Sequence, residues 1–181
     1  MRWFGIFPIL FFLIKLFECY KSNTLFDLLW FCNISNLYLG IAILYSAKRF
    51  TWILTICLYS GILPWIFGLF IGIGFEYTSL LTHFVSPILG TIVIFKTDSL
   101  YKNWWHGILY LIFLQILSRY LTPFNENVNI SFYVYPGLIP IFKTYPVYWI
   151  SNIIGLGISL YIIEMLFIKI KLKNKLRNTP I

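Results

Sequence analysis

Residues 50–75 read FTWILTICLYSGILPWIFGLFIGIGF: twenty-six residues without a formal charge. A spanning helix needs about 20 apolar residues, with a range of about 17–25. A strand of a membrane barrel instead alternates apolar and polar residues over about ten positions. The run is nearly unbroken, so it predicts a helix across a bilayer. Working outward, similar runs cover Trp3 to Phe17, Leu25 to Ala47, Ser79 to Phe95, Trp104 to Leu121 and Val147 to Ile168. The expected fold class is all-α: a polytopic membrane helix bundle of about six transmembrane helices, one domain over residues 1–181. Pro64, Pro87 and Gly61 fall inside runs, where neighbouring helices re-satisfy a kinked backbone.

Composition agrees. Of 181 residues, 60% are apolar and only 11% charged, and the mean hydropathy is +0.82. Soluble domains carry about 25% charged residues. So little polar surface excludes a soluble enzyme domain, a disordered tail and a disulfide-stapled secreted module. Cys19, Cys32 and Cys57 form no CxxC pair and read as buried packing residues. The first run ends at Lys15 and Glu18 with no small-residue cleavage pattern, which predicts an uncleaved span.

Charge sets the orientation. With six crossings, one side holds Arg2, Lys48, Arg49, Lys96, Lys102, Lys169, Lys171, Lys173, Lys175 and Arg177, and the other holds Lys15, Lys21, Arg119 and Lys143. The excess of basic residues on cytoplasmic loops places both termini in the cytoplasm, with residues 169–181 as a basic cytoplasmic tail. The net charge of +8 then reflects that retention and attraction to anionic lipid, and implies no nucleic acid. The segment from Thr122 to Pro146 is too short and too rich in proline to span. It is expected to dip into the outer interface or to cap the bundle.

Ionisable groups inside spans are costly, on the order of 2.5–3.5 kcal/mol at mid-helix, so their grouping carries information. Asp27, His83, Glu76, Arg119 and the asparagines after span five all fall near the outer rim. Each has a local explanation: an acid in a first helical turn, a packed imidazole, an arginine at the interface, turn-forming asparagines. Together they suggest a polar pocket. In an enzyme, His83 is the candidate general base, oriented by Asp27 or Glu126, with Arg119 binding phosphate or carboxylate and an asparagine stabilising an oxyanion. In a binding or transport protein, Arg119, Asn33, Asn127 and Asn129 are the candidate ligand-binding residues, for a lipid or a small anion. In a structural or assembly protein the same groups only pack helices. Asn33 and Asn36 share a helix face, with Gly40 a turn further on. Glu164 is expected to pair with the basic tail or reach the interface. No metal spacing, phosphate-binding loop or nucleophile motif occurs, so no metal or cofactor is implied. Membrane lipids are the expected partners, and the sequence does not set an oligomeric state.

Residues 27–33 (DLLWFCN), 83–87 (HFVSP) and 121–129 (LTPFNENVN) resemble a family of uncharacterised bacterial polytopic inner-membrane proteins over about residues 25–150. That resemblance implies a multi-pass bundle in the inner membrane and brings no activity with it. The layout is also similar to YwaF-type integral membrane proteins and to the androgen-induced membrane hydrolases. The latter likeness implies a threonine nucleophile and a histidine acting on lipid esters. Here Thr82 adjoins His83 rather than lying on a separate helix.

Overall fold

The computed structural model describes residues 1–70, 76–97 and 100–177. Among these residues the regular structure is helical: α1 (Ile6–Ser22), α2 (Phe31–Leu44), α3 (Lys48–Ser60), α4 (Ile62–Phe70), α5 (Tyr77–Leu80), α6 (Ser86–Phe95), α7 (Trp104–Leu121) and α8 (Tyr145–Arg177). Several join into longer rods. Arg2–Ser22, Lys48–Phe70, Tyr77–Phe95 and Tyr145–Lys175 are each long and apolar enough to cross a membrane, and Phe31–Leu44 is a shorter apolar helix. The helix Trp104–Leu121 has 18 residues but carries His106, Gln115 and Arg119, and falls outside that set. The helical membrane bundle expected from the sequence is therefore present.

The breaks within rods have identifiable causes. Proline has no N–H and its ring crowds the carbonyl four residues back. Pro64 crowds Ser60, and the rod Lys48–Phe70 is interrupted at Gly61. Pro87 crowds the carbonyl of His83, and there the helix widens into a π turn, Leu81–Val85. The second run begins as a helix only at Phe31, six residues later than expected. Leu25–Leu29 instead winds as a 3-10 turn, held by the Asp27 carboxylate accepting the Trp30 indole N–H (3.2 Å) and the Asp27 carbonyl accepting the Asn33 amide (2.8 Å). Two helices end on left-handed residues, Asn23 (φ 58°) after α1 and Ser46 (φ 56°) after α2. In each, the next amide bonds back five residues, Thr24 N–H to the Cys19 carbonyl and Ala47 N–H to the Ala42 carbonyl, which satisfies terminal carbonyls.

Long-range bonds sort the helix ends. At one end Arg2 donates to Ser46 (2.9 Å), Arg49 to Asn103 (3.0 Å) and Lys171 to the Ile94 carbonyl (2.9 Å). At the other, Lys15 pairs with Glu76, and Phe31 N–H binds Asn129 (2.6 Å). The rods alternate in direction, and both described chain ends lie at the first, basic end. The segment after α7 forms short 3-10 turns, Phe124–Glu126, Val128–Ile130 and Pro136–Leu138, across the other, loop end, as the cap reading expected.

The core centres on α3, whose residues Thr51 to Leu58 are all buried. Ile53, Ile56 and Cys57 pack with Phe31, Leu114 and Leu160 on one side, and Leu54 and Leu58 with Leu39, Ala42 and Ile43 on the other. Close approaches are made at small residues, as in membrane bundles. A Cβ on Gly40 would stand 2.6 Å from the Gly5 carbonyl, and one on Gly107 2.7 Å from Leu160. Cys19 and Cys57 are buried and Cys32 half-buried, and all three are free thiols.

The outside is more apolar than the inside. Serine, threonine, asparagine and glutamate side chains are buried, including Ser35, Asn36, Thr55 and Glu164 at 0% exposure, while Ile150, Ile154, Ile158 and Ile162 of α8 each expose half their surface or more. Water would drive the opposite distribution; hydrocarbon drives this one. The most exposed tyrosines and tryptophans lie near the ends: Trp3 and Tyr45 at the basic end, Tyr20, Tyr77 and Tyr120 at the loop end. That is where amphipathic rings meet the two headgroup layers.

Candidate lipid-facing site

The loop end is organised by Asn129. Its backbone is left-handed (φ 55°), a conformation asparagine tolerates better than most residues. The side chain accepts the Phe31 N–H, donates to the Leu29 carbonyl (2.7 Å) and donates to Ser118 (3.0 Å). It thus joins the start of α2 to the end of α7. Its carbonyl accepts from Gln115 (2.9 Å), which in turn accepts the Trp149 indole N–H (2.9 Å). Asn127, also left-handed, accepts from the amides of Phe132 (2.9 Å) and Tyr133 (3.2 Å) and donates to the Tyr133 carbonyl (3.0 Å). Both asparagines are buried; the Asn127 amide is engaged by the loop itself, and that of Asn129 by the flanking segments. Ile130 beside them is held at φ 59°, a strained value for a β-branched residue. Tyr135 lies in the same segment, and burial pushes its phenol up to about 12.

Arg119 closes this network. Its Nε donates to the Ser131 carbonyl (2.6 Å) and one terminal nitrogen to the Tyr145 hydroxyl (3.1 Å), while its guanidinium lies 5.5 Å over the Tyr145 ring. The Tyr145 hydroxyl donates to the same Ser131 carbonyl (2.7 Å). Beneath Arg119, between α7 and α8, runs a half-open groove of about 400 Å³, lined by Ile112, Gln115, Ile116, Arg119, Tyr145, Pro146 and Trp149.

The other predicted members lie apart from this groove. Asp27 and Asn33 bond to each other's segment at the start of α2. His83 is buried, 4% exposed, in the π turn. Its ring stacks on Trp65, with centroids 5.2 Å apart, and its Nδ1 has no hydrogen-bond partner among the described residues. The Asp27 carboxylate holds Trp30, and that of Glu126 holds Asn125 (3.1 Å). Among the described residues neither carboxylate bonds the imidazole. Asp27, His83 and Arg119 share no hydrogen bond.

Two buried charges have partners that the sequence does not specify. Lys15 is 5% exposed; it bonds Glu76 and lies 3.7 Å from Glu18, while Thr78 donates to Glu18. This cluster ties α1 to the start of α5. The signal was a lysine inside an apolar run. Glu164 corrects an expectation: rather than pairing with the tail, it turns inward, accepting the Trp52 indole N–H (3.1 Å) and the Asn103 backbone N–H (2.7 Å). The tail's Lys171 instead lies 5.6 Å over the Trp52 ring. Among the described residues no group of three or more metal-ligating side chains occurs.

No protein-family model, curated protein or solved structure matches the chain. The class is therefore defined by the helices alone, as a multi-spanning membrane protein, and the site by its own geometry.

Proposed function

We propose that this is a six-crossing protein of the inner (plasma) membrane, with both termini cytoplasmic, that holds an amphiphilic ligand in the groove between α7 and α8. The orientation is supported by the basic end, where Arg2, Lys48, Lys96, Lys102, Lys169 and Lys173 are exposed. The observation that carries the functional reading is the groove itself: an almost wholly apolar cleft of about 400 Å³ whose lining includes one basic side chain, Arg119. Small-molecule sites are clefts of about this size, mostly apolar, with a few placed polar groups. The groove opens on the outside of the bundle, between two helices whose outward residues face hydrocarbon. A ligand enters it sideways from the lipid, which favours binding over passage through the bundle. Among the described residues the Asp27 and Glu126 carboxylates bond Trp30 and Asn125 and not His83, so the groove supports a binding role better than an enzymatic one.

The test is native mass spectrometry of the protein released from lipid nanodiscs. The wild type is expected to retain lipid, and Ile116→Trp, which fills the groove with an indole, to retain about tenfold less. Equal retention by the two proteins refutes the groove as a ligand site.

A further inference from the structure

The same groove also indicates which class of lipid it takes, an inference that rests on the binding role just proposed. The Arg119 guanidinium is fixed before any ligand arrives. Nε is held by the Ser131 carbonyl and one terminal nitrogen by the Tyr145 hydroxyl. The other terminal nitrogen carries no bond among the described residues. A guanidinium has five N–H donors in a rigid fork, and two parallel N–H bonds suit a phosphate. Because loop and tyrosine already hold the fork, little side-chain freedom is lost on binding.

The surroundings separate anionic from zwitterionic headgroups. The groove lining contains one cation and no acid, so an ammonium finds no carboxylate there. Aromatic faces are the other binders of quaternary ammonium. One face of Tyr145 is already taken by Arg119 itself. The second aromatic, Trp149, has its N–H on Gln115 and lies a full helical turn from Tyr145, down the apolar wall. A choline or ethanolamine group therefore gains nothing at the mouth, and its positive charge is repelled by Arg119.

We propose that the groove binds an anionic glycerophospholipid of the surrounding leaflet, with its phosphate on the unbonded edge of Arg119 and one acyl chain along Ile112, Ile116 and Trp149. The full-length protein is incorporated into nanodiscs of equal phosphatidylglycerol and phosphatidylcholine, and retained lipids are identified by mass. The expected result is enrichment of phosphatidylglycerol on the wild type by about tenfold. Arg119→Gln loses the enrichment, and Ile116→Trp loses retained lipid of both kinds. Since Arg119 also holds the loop, Tyr145→Phe supplies a second check. It frees a terminal nitrogen while leaving the Nε bond, and keeps the preference. Lipid retained without headgroup preference, but lost in Ile116→Trp, overturns the anionic assignment and leaves the groove standing. Retention unchanged in Ile116→Trp overturns both.

Discussion

Replacing Asn129 with alanine tests how the loop end is held. The substitution removes the acceptor for the Phe31 N–H and the donors to the Leu29 carbonyl and Ser118. Phe31 is buried, so its amide has no water to turn to. Two stranded backbone groups at about 1.5 kcal/mol each, with about 1 kcal/mol for forcing alanine into a left-handed backbone, total about 4 kcal/mol. Glycine at 129 removes the same side chain but adopts φ 55° freely, so Asn129→Gly is expected to lose about 3 kcal/mol. The assay is denaturant titration in micelles, followed by tryptophan fluorescence. Trp149 reports directly, since its indole is joined to Asn129 through Gln115. A loss below about 1 kcal/mol in Asn129→Ala, or a glycine variant less stable than the alanine one, refutes the assignment of the asparagine as the tie between α2 and α7.

Two further predictions concern the helix contacts. Gly40→Ala forces the backbones of α1 and α2 apart at Gly5 and is expected to lower stability by about 1–3 kcal/mol, whereas Gly155→Ala, where a Cβ meets nothing within 4 Å, is expected to leave it unchanged or raised; thermal melts of the two variants check the contrast. Glu76→Gln leaves the Lys15 ammonium beside Glu18 alone; because both carboxylates are nearly half exposed, it is expected to cost about 1–2 kcal/mol, while the double variant Lys15→Met with Glu76→Gln recovers at least half of that, as a double-mutant cycle measures.

The crossings were legible because hydrocarbon imposes a long, one-signed requirement on sequence. A run such as Phe50 to Phe75 meets that requirement, bounded by Lys48 and Arg49 before it and by Glu76 after it. The start of α2 was not legible. Leu25-Phe-Asp-Leu-Leu-Trp30 is as apolar as a helix, and only the bonds of Asp27 to Trp30 and Asn33 divert it into a 3-10 turn. The rim residues were found by type and position, but not their partners. Asn129 and Phe31 are 98 positions apart, and Trp52 and Glu164 are 112 apart. Hydropathy says that such groups need partners; it does not say which ones. Arg119 reads from the sequence as a candidate anion binder; the groove whose lining includes it depends on how α7 meets α8, which no local pattern encodes.

The length of α8 carries a mechanical consequence. Its 33 residues make a rod of about 50 Å at 1.5 Å per residue, whereas the hydrocarbon layer is about 30 Å thick. Starting at Tyr145, the rod outruns the layer and carries Lys169, Lys173 and Lys175 into water as a stiff mast. Drawing the mast inward would drag ammonium groups into oil, and pushing it outward would wet the isoleucines of the outer flank. In the proposed crossing the helix therefore acts as a depth gauge for the cleft beside Ile116.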